Sequence, residues 1–413
     1  MANKQGESPG VEGAGVGVKS GDPGVAVRLA ELDAFRGAVI LLMFVVNLSY
    51  DAAIPAWFGH AGWNGGKHGL WLADLVFPWF LFIVGVAIPF SMAGGRGRGV
   101  GTSARALGAL RRGAVLYGLG VLIWVCKSAP DQLGKPGVAV SWETLKHWDI
   151  LPLLGLGSVV GVWLWLLPER WRVWGAWWFA VAVQVGKWWV MPDMTGTAGQ
   201  ERGVWMAGRT DVEHSLRGLG WWGTLLTQGM PACATVALGL LAGEALRVSR
   251  DRGRLWQTGM MLMGAGVLLT SAGLVLSVGM PMSKDFFTPS YVLASAGTGS
   301  VLLGVMVVVR RGMGEVAKRG WGILMRVPEV MGKNAIALYV AAEVMWAVAW
   351  TRWRVVLPEG YSSGSAELWS AMKAWLKVGL GGTAGAWAAI AVYACAYAVM
   401  AVWLHRRKMY IKV

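Results

Sequence analysis

The sequence predicts an all-α integral membrane protein, a bundle of about ten transmembrane helices with both termini in the cytoplasm. Three observations carry that reading. Apolar residues reach 55% before the 60 glycines are counted, and charged residues only 15%, against about 25% in soluble domains. Ten stretches are apolar over roughly the 20 residues that a bilayer core requires. The lysines and arginines fall unevenly on the two sets of connections between those stretches. This composition excludes a disordered chain and an ordinary soluble enzyme. The net charge of +15 does not imply nucleic acid, because the cations lie between apolar runs, where they orient a chain in a bilayer.

Taken in order, residues 1–27 are rich in Gly, Val and Ser, lack an apolar run and read as a disordered cytoplasmic tail. Predicted spans follow at 37–56, 70–93, 105–126, 149–167, 171–191, 222–246, 256–278, 290–309, 333–351 and 381–404. Several contain Gly or Pro, which membrane helices tolerate. One set of connections holds Arg28, Arg96, Arg111, Arg112, Arg250, Arg310, Arg311, Arg406 and Arg407 with others; the opposite set holds fewer, among them Lys67, Lys127, Lys284 and Arg352. The cation-rich set is cytoplasmic by this asymmetry, and an even number of spans agrees. Trp177, Trp178, Trp188, Trp189, Trp221 and Trp222 sit near predicted span ends, as interfacial anchors do. Residues 192–218 form a polar outer loop, and 358–378 a second one in which Leu368–Val378 has the pattern of a helix lying on the membrane. Cys126, Cys233 and Cys395 are odd in number, widely spaced and in apolar context, so they read as small core residues, with no disulfide framework and no metal pattern.

Polar residues with chemical potential are few and stand at helix ends. Asp33 and Arg36 lie one turn apart at the entry of the first span; they form a local ion pair, or Arg36 meets an anionic cytosolic ligand. Asn47, near the outer end of that span, either bonds a neighbouring helix or serves a site. His60 follows in the next loop, with Asp74 opening the second span as a carboxylate able to orient it. A neutral imidazole is the side chain ready for proton transfer near pH 7, although a loop His is more often simply solvated. His68 has no such setting. Glu343 lies inside the ninth predicted span, where an isolated carboxylate costs about 2.5–3.5 kcal/mol, so it needs a partner, a wet cavity or a proton. Gly332-Lys333-Asn334 opens the same span and is either a helix cap or a phosphate contact.

The segments RLAELDAFRG, VVNLSYD, FGHAGWNG and ADLVFPWFLFIVGVAIPFSM together resemble the opening signature of the heparan-alpha-glucosaminide N-acetyltransferase-like family of multi-span acyltransferases. DVEHSLRGLGWWGTLLTQGMPACATVALGLLAGEAL, SKDFFTPSYVLASAGTG, MGKNAIALYV and WLHRRKMYIKV are similar to later family segments in the same order. The resemblance implies that residues 28–413 form one transmembrane acyltransferase-like domain. It implies acetyl-CoA as co-substrate from the cytosolic side, with no metal, and a small-molecule or glycan acceptor on the other side. The family's active-site His falls on His60, its partner Asn on Asn47 and its acidic position on Asp74. The CoA phosphates would meet a rim of Asp33, Arg36, Arg111, Arg112, Lys333 and Asn334. The acceptor would meet Trp63, Asn64, Asp149 and Glu343. One departure concerns the acceptor. Where many members read Gly-Val-Leu-Gln-Arg-Ile, this chain reads His147-Trp148-Asp149-Ile150-Leu151-Pro152-Leu153, with an Asp present and the Arg gone.

These readings predict a membrane acetyltransferase acting on an envelope sugar in a bacterial inner membrane, with the lipid bilayer and the acceptor as partners, no nucleic acid, and a homodimer as an allowed assembly. Two rivals stand beside it. A transporter or flippase for a sugar or lipid-linked intermediate would suit broken helices and an intramembrane Glu343. A non-catalytic scaffold would need neither Asn47, His60 nor Asp74.

Overall fold

The computed structural model describes residues 29–49, 54–60, 70–97, 99–133, 149–190, 222, 225–280, 282–284, 287–312, 314–359 and 364–411. The protein is an all-α integral membrane protein. Its helices are α1 (Ala30–Leu48), α2 (Leu72–Gly97), α3 (Thr102–Leu133), α4 (Ile150–Leu166), α5 (Glu169–Val190), α6 (Met230–Asp251), α7 (Leu255–Leu276), α8 (Pro289–Gly312), α9 (Glu315–Leu324), α10 (Arg326–Gly332), α11 (Ala335–Met345), α12 (Leu368–Leu380) and α13 (Gly382–Arg406). A short antiparallel ladder pairs β1 (Arg354–Val356) with β2 (Ser365–Glu367).

Each predicted span contains a helix, but the boundaries differ: the span predicted at 37–56 is α-helical only to Leu48, and Ser49, Ile54 and Pro55 are not helical. Among the described residues six helices are long and apolar enough to cross a membrane: those within α2, α3, α6, α7, α8 and α13. The other four differ in instructive ways. α1 begins at Ala30, earlier than the apolar run, and so takes Glu31, Asp33 and Arg36 into its first turns; it ends at Leu48, where Ser49 Oγ donates to Val46 O. α5 carries Glu169, Arg170 and Arg172 in its first turn. α4 has only 17 residues. The segment predicted at 333–351 divides into the 11-residue α11 and a wide turn, Trp346–Trp350. The amphipathic reading after residue 367 is α12, whose Trp369, Ala371 and Ala374 are buried. Cys233 is buried, whereas Cys395 is exposed on α13 and is not a core residue. Residues 1–27 and 192–218 lie outside the described residues.

Small residues set the packing. Lipid offers no hydrophobic drive between helices, so close backbone approach and dispersion must supply it. On α7, Gly259, Gly266 and Gly273 recur every seventh residue and meet Gly304, Gly297 and Ser290 of the antiparallel α8. On α6, Gly239 and Gly243 rest on the Phe82 and Val86 carbonyls of α2, and Gly85 of α2 rests on the backbone of Val236 and Leu240. α2 and α6 are the most buried of the spanning helices, with 67% and 72% of their apolar windows inside the bundle. This fixes α2 as a central post, and the candidate site is built at its head.

Candidate active site

The head of α2 is organised by one carboxylate. Asp74 lies in the first turn, where an acid complements the helix dipole. Its Oδ2 accepts from the Trp71 backbone N–H at 3.4 Å, which returns the side chain to the helix start as in a capping box. Its Oδ1 lies 2.7 Å from His60 Nδ1. The His60 side chain is 34% exposed and that of Asp74 7%. The backbone reaches His60 through a single 3₁₀ turn, Ala56–Phe58, begun at Pro55. Aromatic contacts pin that turn: Trp57 stacks on Phe58 at 4.0 Å, and Phe58 meets Trp387 of α13 edge-on at 5.1 Å. A carboxylate held on Nδ1 fixes the tautomer with the proton there. Nε2 keeps its lone pair for a substrate proton. A fixed, half-exposed imidazole backed by a buried acid can act as a general base.

Asn47 stands at the last turn of α1. It is exposed, and among the described residues its side chain makes no hydrogen bond, to His60 or to any other group. Trp63, Asn64 and His68 lie outside the described residues.

At the opposite end of α1, Arg36 donates to Asp33 Oδ1 at 3.0 Å. Arg112 of α3 stands close enough to Arg36 for the two charges to repel. Its Nε is buried and has no acceptor among the described residues. Two guanidiniums within electrostatic reach, one with a buried N–H lacking an acceptor among the described residues, fit an anion such as a phosphate. Arg111 is exposed. Lys333 reaches Glu329 Oε1 at 3.7 Å. Asn334, 1% exposed, has its amide engaged by the chain's own C-terminus: Nδ2 donates to Met409 O at 3.1 Å, and Oδ1 accepts from Ile411 N at 3.0 Å. Of the six rim residues, Arg112 is the one with a buried donor lacking an acceptor among the described residues, and Arg36 lies within electrostatic reach of it. α10 meets α1 closely here, because Gly37 and Gly332 leave no side chain between the Pro328 and Asp33 carbonyls.

The acceptor candidates Asp149 and Glu343 are structurally tied. Asp149 caps α4, its Oδ1 accepting from Ile150 N at 2.8 Å. Glu343 pairs with Lys127 near the end of α3, which answers the cost of a carboxylate inside an apolar helix. Tyr339 is within electrostatic reach of both acids. Phe44, Trp346, Trp350, Trp369, Tyr393 and Tyr397 form a continuous aromatic cluster within electrostatic reach of Glu343.

Three features escaped the sequence. Glu31 is fully buried and bridges to Arg311 at 2.7 Å and Arg310 at 3.5 Å. Arg172 is 2% exposed, lies over Trp165 and joins Glu244 at 3.0 Å. Tyr291 donates to the Asp74 carbonyl. Their partners lie up to hundreds of residues away, and the arginines carried only an orientation signal. Among the described residues no group of three or more His, Cys, Asp or Glu could hold a metal ion.

Residues 28–210 match the family described as heparan-alpha-glucosaminide N-acetyltransferase, catalytic. The chain is similar to the human heparan-alpha-glucosaminide N-acetyltransferase, 37% identical over 130 residues, which cover 31% of this chain and 18% of that protein. The mouse protein of the same name is 36% identical over 132 residues, 32% of this chain and again 18% of the relative. The chain thus spans less than a fifth of the length of the curated relatives it matches. The later segments that resemble the family, from 211 onwards, lie outside the matched residues. The stretch that builds the His60–Asp74 pair is that of the heparan-alpha-glucosaminide N-acetyltransferase-like family, the family that the opening motifs indicated.

Proposed function

We propose that the protein is a membrane acetyltransferase that moves an acetyl group from cytosolic acetyl-CoA to an amine or hydroxyl of an envelope sugar. About ten spans, cytoplasmic termini and a bacterial inner membrane complete the reading. The observation that carries it is the 2.7 Å His60–Asp74 pair, set in the segment that matches an N-acetyltransferase catalytic region. Arg36 and Arg112 support it from the far end of α1, where they would hold the anionic phosphates of the donor. From Arg36 to Asn47 α1 rises about 16 Å at 1.5 Å per residue, the order of an extended pantetheine arm.

His60 Nε2 takes the proton of the acceptor amine or hydroxyl as its N or O forms the new bond to the thioester carbonyl carbon. Asp74 steadies the imidazolium. The C–S bond breaks, and His60 returns its proton to the departing thiolate. Asn47, exposed at the same end, would donate to the carbonyl oxygen as negative charge develops; such donors are worth about 2.7–4 kcal/mol elsewhere.

The test is transfer from labelled acetyl-CoA to a panel of amino sugars by purified protein in detergent. His60→Ala should lower turnover by roughly 10²–10⁴-fold with the melting temperature kept. Wild-type turnover in that variant would remove His60 from the chemistry. Movement of a sugar across the bilayer without acetyl-CoA would mark the protein as a carrier instead.

A further inference from the structure

Pro78 stands four residues after Asp74 within α2. In an uninterrupted helix the Asp74 carbonyl would accept from the amide of residue 78. Proline has no N–H to give, and its ring crowds the carbonyl four residues earlier. So α2 loses an internal hydrogen bond at the residue whose side chain holds His60. A buried carbonyl left bare is costly, and native structures pair such groups.

The missing donor comes from α8. The Tyr291 hydroxyl donates to Asp74 O at 2.6 Å. Tyr291 is 1% exposed, and its ring stands edge-on to Phe287 at 5.8 Å. Phe287 in turn stands edge-on, at 5.8 Å, to Phe77, the neighbour of Pro78. Phe287 adopts a left-handed backbone, φ 48°, which a bulky residue keeps only where its surroundings impose it. Here they do. Thr288 Oγ1 accepts from Ser283 N at 3.0 Å, and Ser290 Oγ donates to Met280 O at 2.7 Å, which locks the turn entering α8.

We propose that Tyr291 is a positioning residue: it supplies to Asp74 the hydrogen bond that Pro78 withholds, and so holds the Asp74 carboxylate on His60. Its consequence for turnover rests on the transferase reading; its geometry does not. Tyr291 lies beyond residue 210, so the brace comes from the part of the chain without the family match. The site is complete only when α8 is docked on α2.

Two substitutions test this. Tyr291→Phe removes the hydroxyl and keeps the ring. Adding Pro78→Ala returns an N–H at position 78, so that α2 can satisfy its own carbonyl. The structural readout is the ¹⁵N signal of His60 Nδ1 in histidine-labelled protein, assigned with His60→Gln; the functional readout is turnover with acetyl-CoA. Tyr291→Phe should move the His60 signal toward that of free imidazole. It should also lower kcat about tenfold, the equivalent of one net hydrogen bond, with KM for acetyl-CoA unchanged. The double variant should recover both. A His60 signal unchanged in Tyr291→Phe, or not recovered in the double variant, overturns the proposal. If Tyr291→Phe does not fold, the double variant decides: folded with the wild-type His60 signal it upholds the brace, and unfolded it overturns it. Absence of turnover in the wild type would count against the transferase reading alone, while the His60 signal still judges the brace.

Discussion

Asp74 joins backbone and chemistry in one residue. Its carboxylate closes the first turn of α2 and orients His60, while its carbonyl is freed by Pro78 for Tyr291. The pairing with His60 across 14 residues was legible, because an imidazole and an acid near in sequence are natural hydrogen-bond partners. The backbone half of the device was not, because its partner is 217 residues away. Asn334 shows the converse. Its place beside Lys333 at a helix start suggested a phosphate contact, yet its amide clamps Met409 and Ile411. Removing it leaves a backbone N–H and a carbonyl of the C-terminal segment without partners, at about 1–3 kcal/mol. Asn334→Ala should therefore lower the melting temperature and expose residues 409–411 to faster amide exchange. Unchanged exchange there would show that the clamp does not hold the tail.

At the scale of elements, helix identity followed from apolar length, but helix ends and contacts did not. α1 extends through charged residues because its first turns are buried against α10 and α8, where Glu31 meets Arg310 and Arg311. A hydropathy window sees those charges only as a boundary. Within the segment 333–351, the Glu343 carboxylate is supported by a tertiary pair with Lys127 that no local pattern announces. The glycines, read in the sequence only as tolerated within spans, mark close helix crossings where they recur at intervals of four and seven. A Cβ at Gly239 would strike the Phe82 carbonyl, whereas one at Gly264 meets nothing within 4 Å. Gly239→Ala should cost about 1–3 kcal/mol through overpacking, read as a lower melting temperature in detergent, and Gly264→Ala should be neutral or slightly stabilising. Equal effects at the two sites would mean that α2 and α6 do not pack through backbone contact.

Across the whole molecule the two ends of α1 carry different chemistry. One end presents Arg36 and Arg112, whose Nε has no acceptor among the described residues, suited to anions; the other presents Asn47 and, at the head of α2, the His60–Asp74 pair. The all-α membrane class came directly from composition and apolar run length, which the bilayer itself dictates. The acceptor was not legible, because Trp63 and Asn64 lie outside the described residues and Asp149 and Glu343 are engaged by a helix cap and by Lys127. If the protein is the transferase proposed above, donor and acceptor meet from opposite faces at His60. Proteoliposomes of known orientation test it most directly, with labelled acetyl-CoA supplied at the face of Arg36 and Arg112 and an amino sugar enclosed at the other. Acetylated sugar should appear in the opposite compartment, be lost in His60→Ala and require several-fold more acetyl-CoA in Arg112→Ala. Acetylation only when both substrates share one face would contradict it.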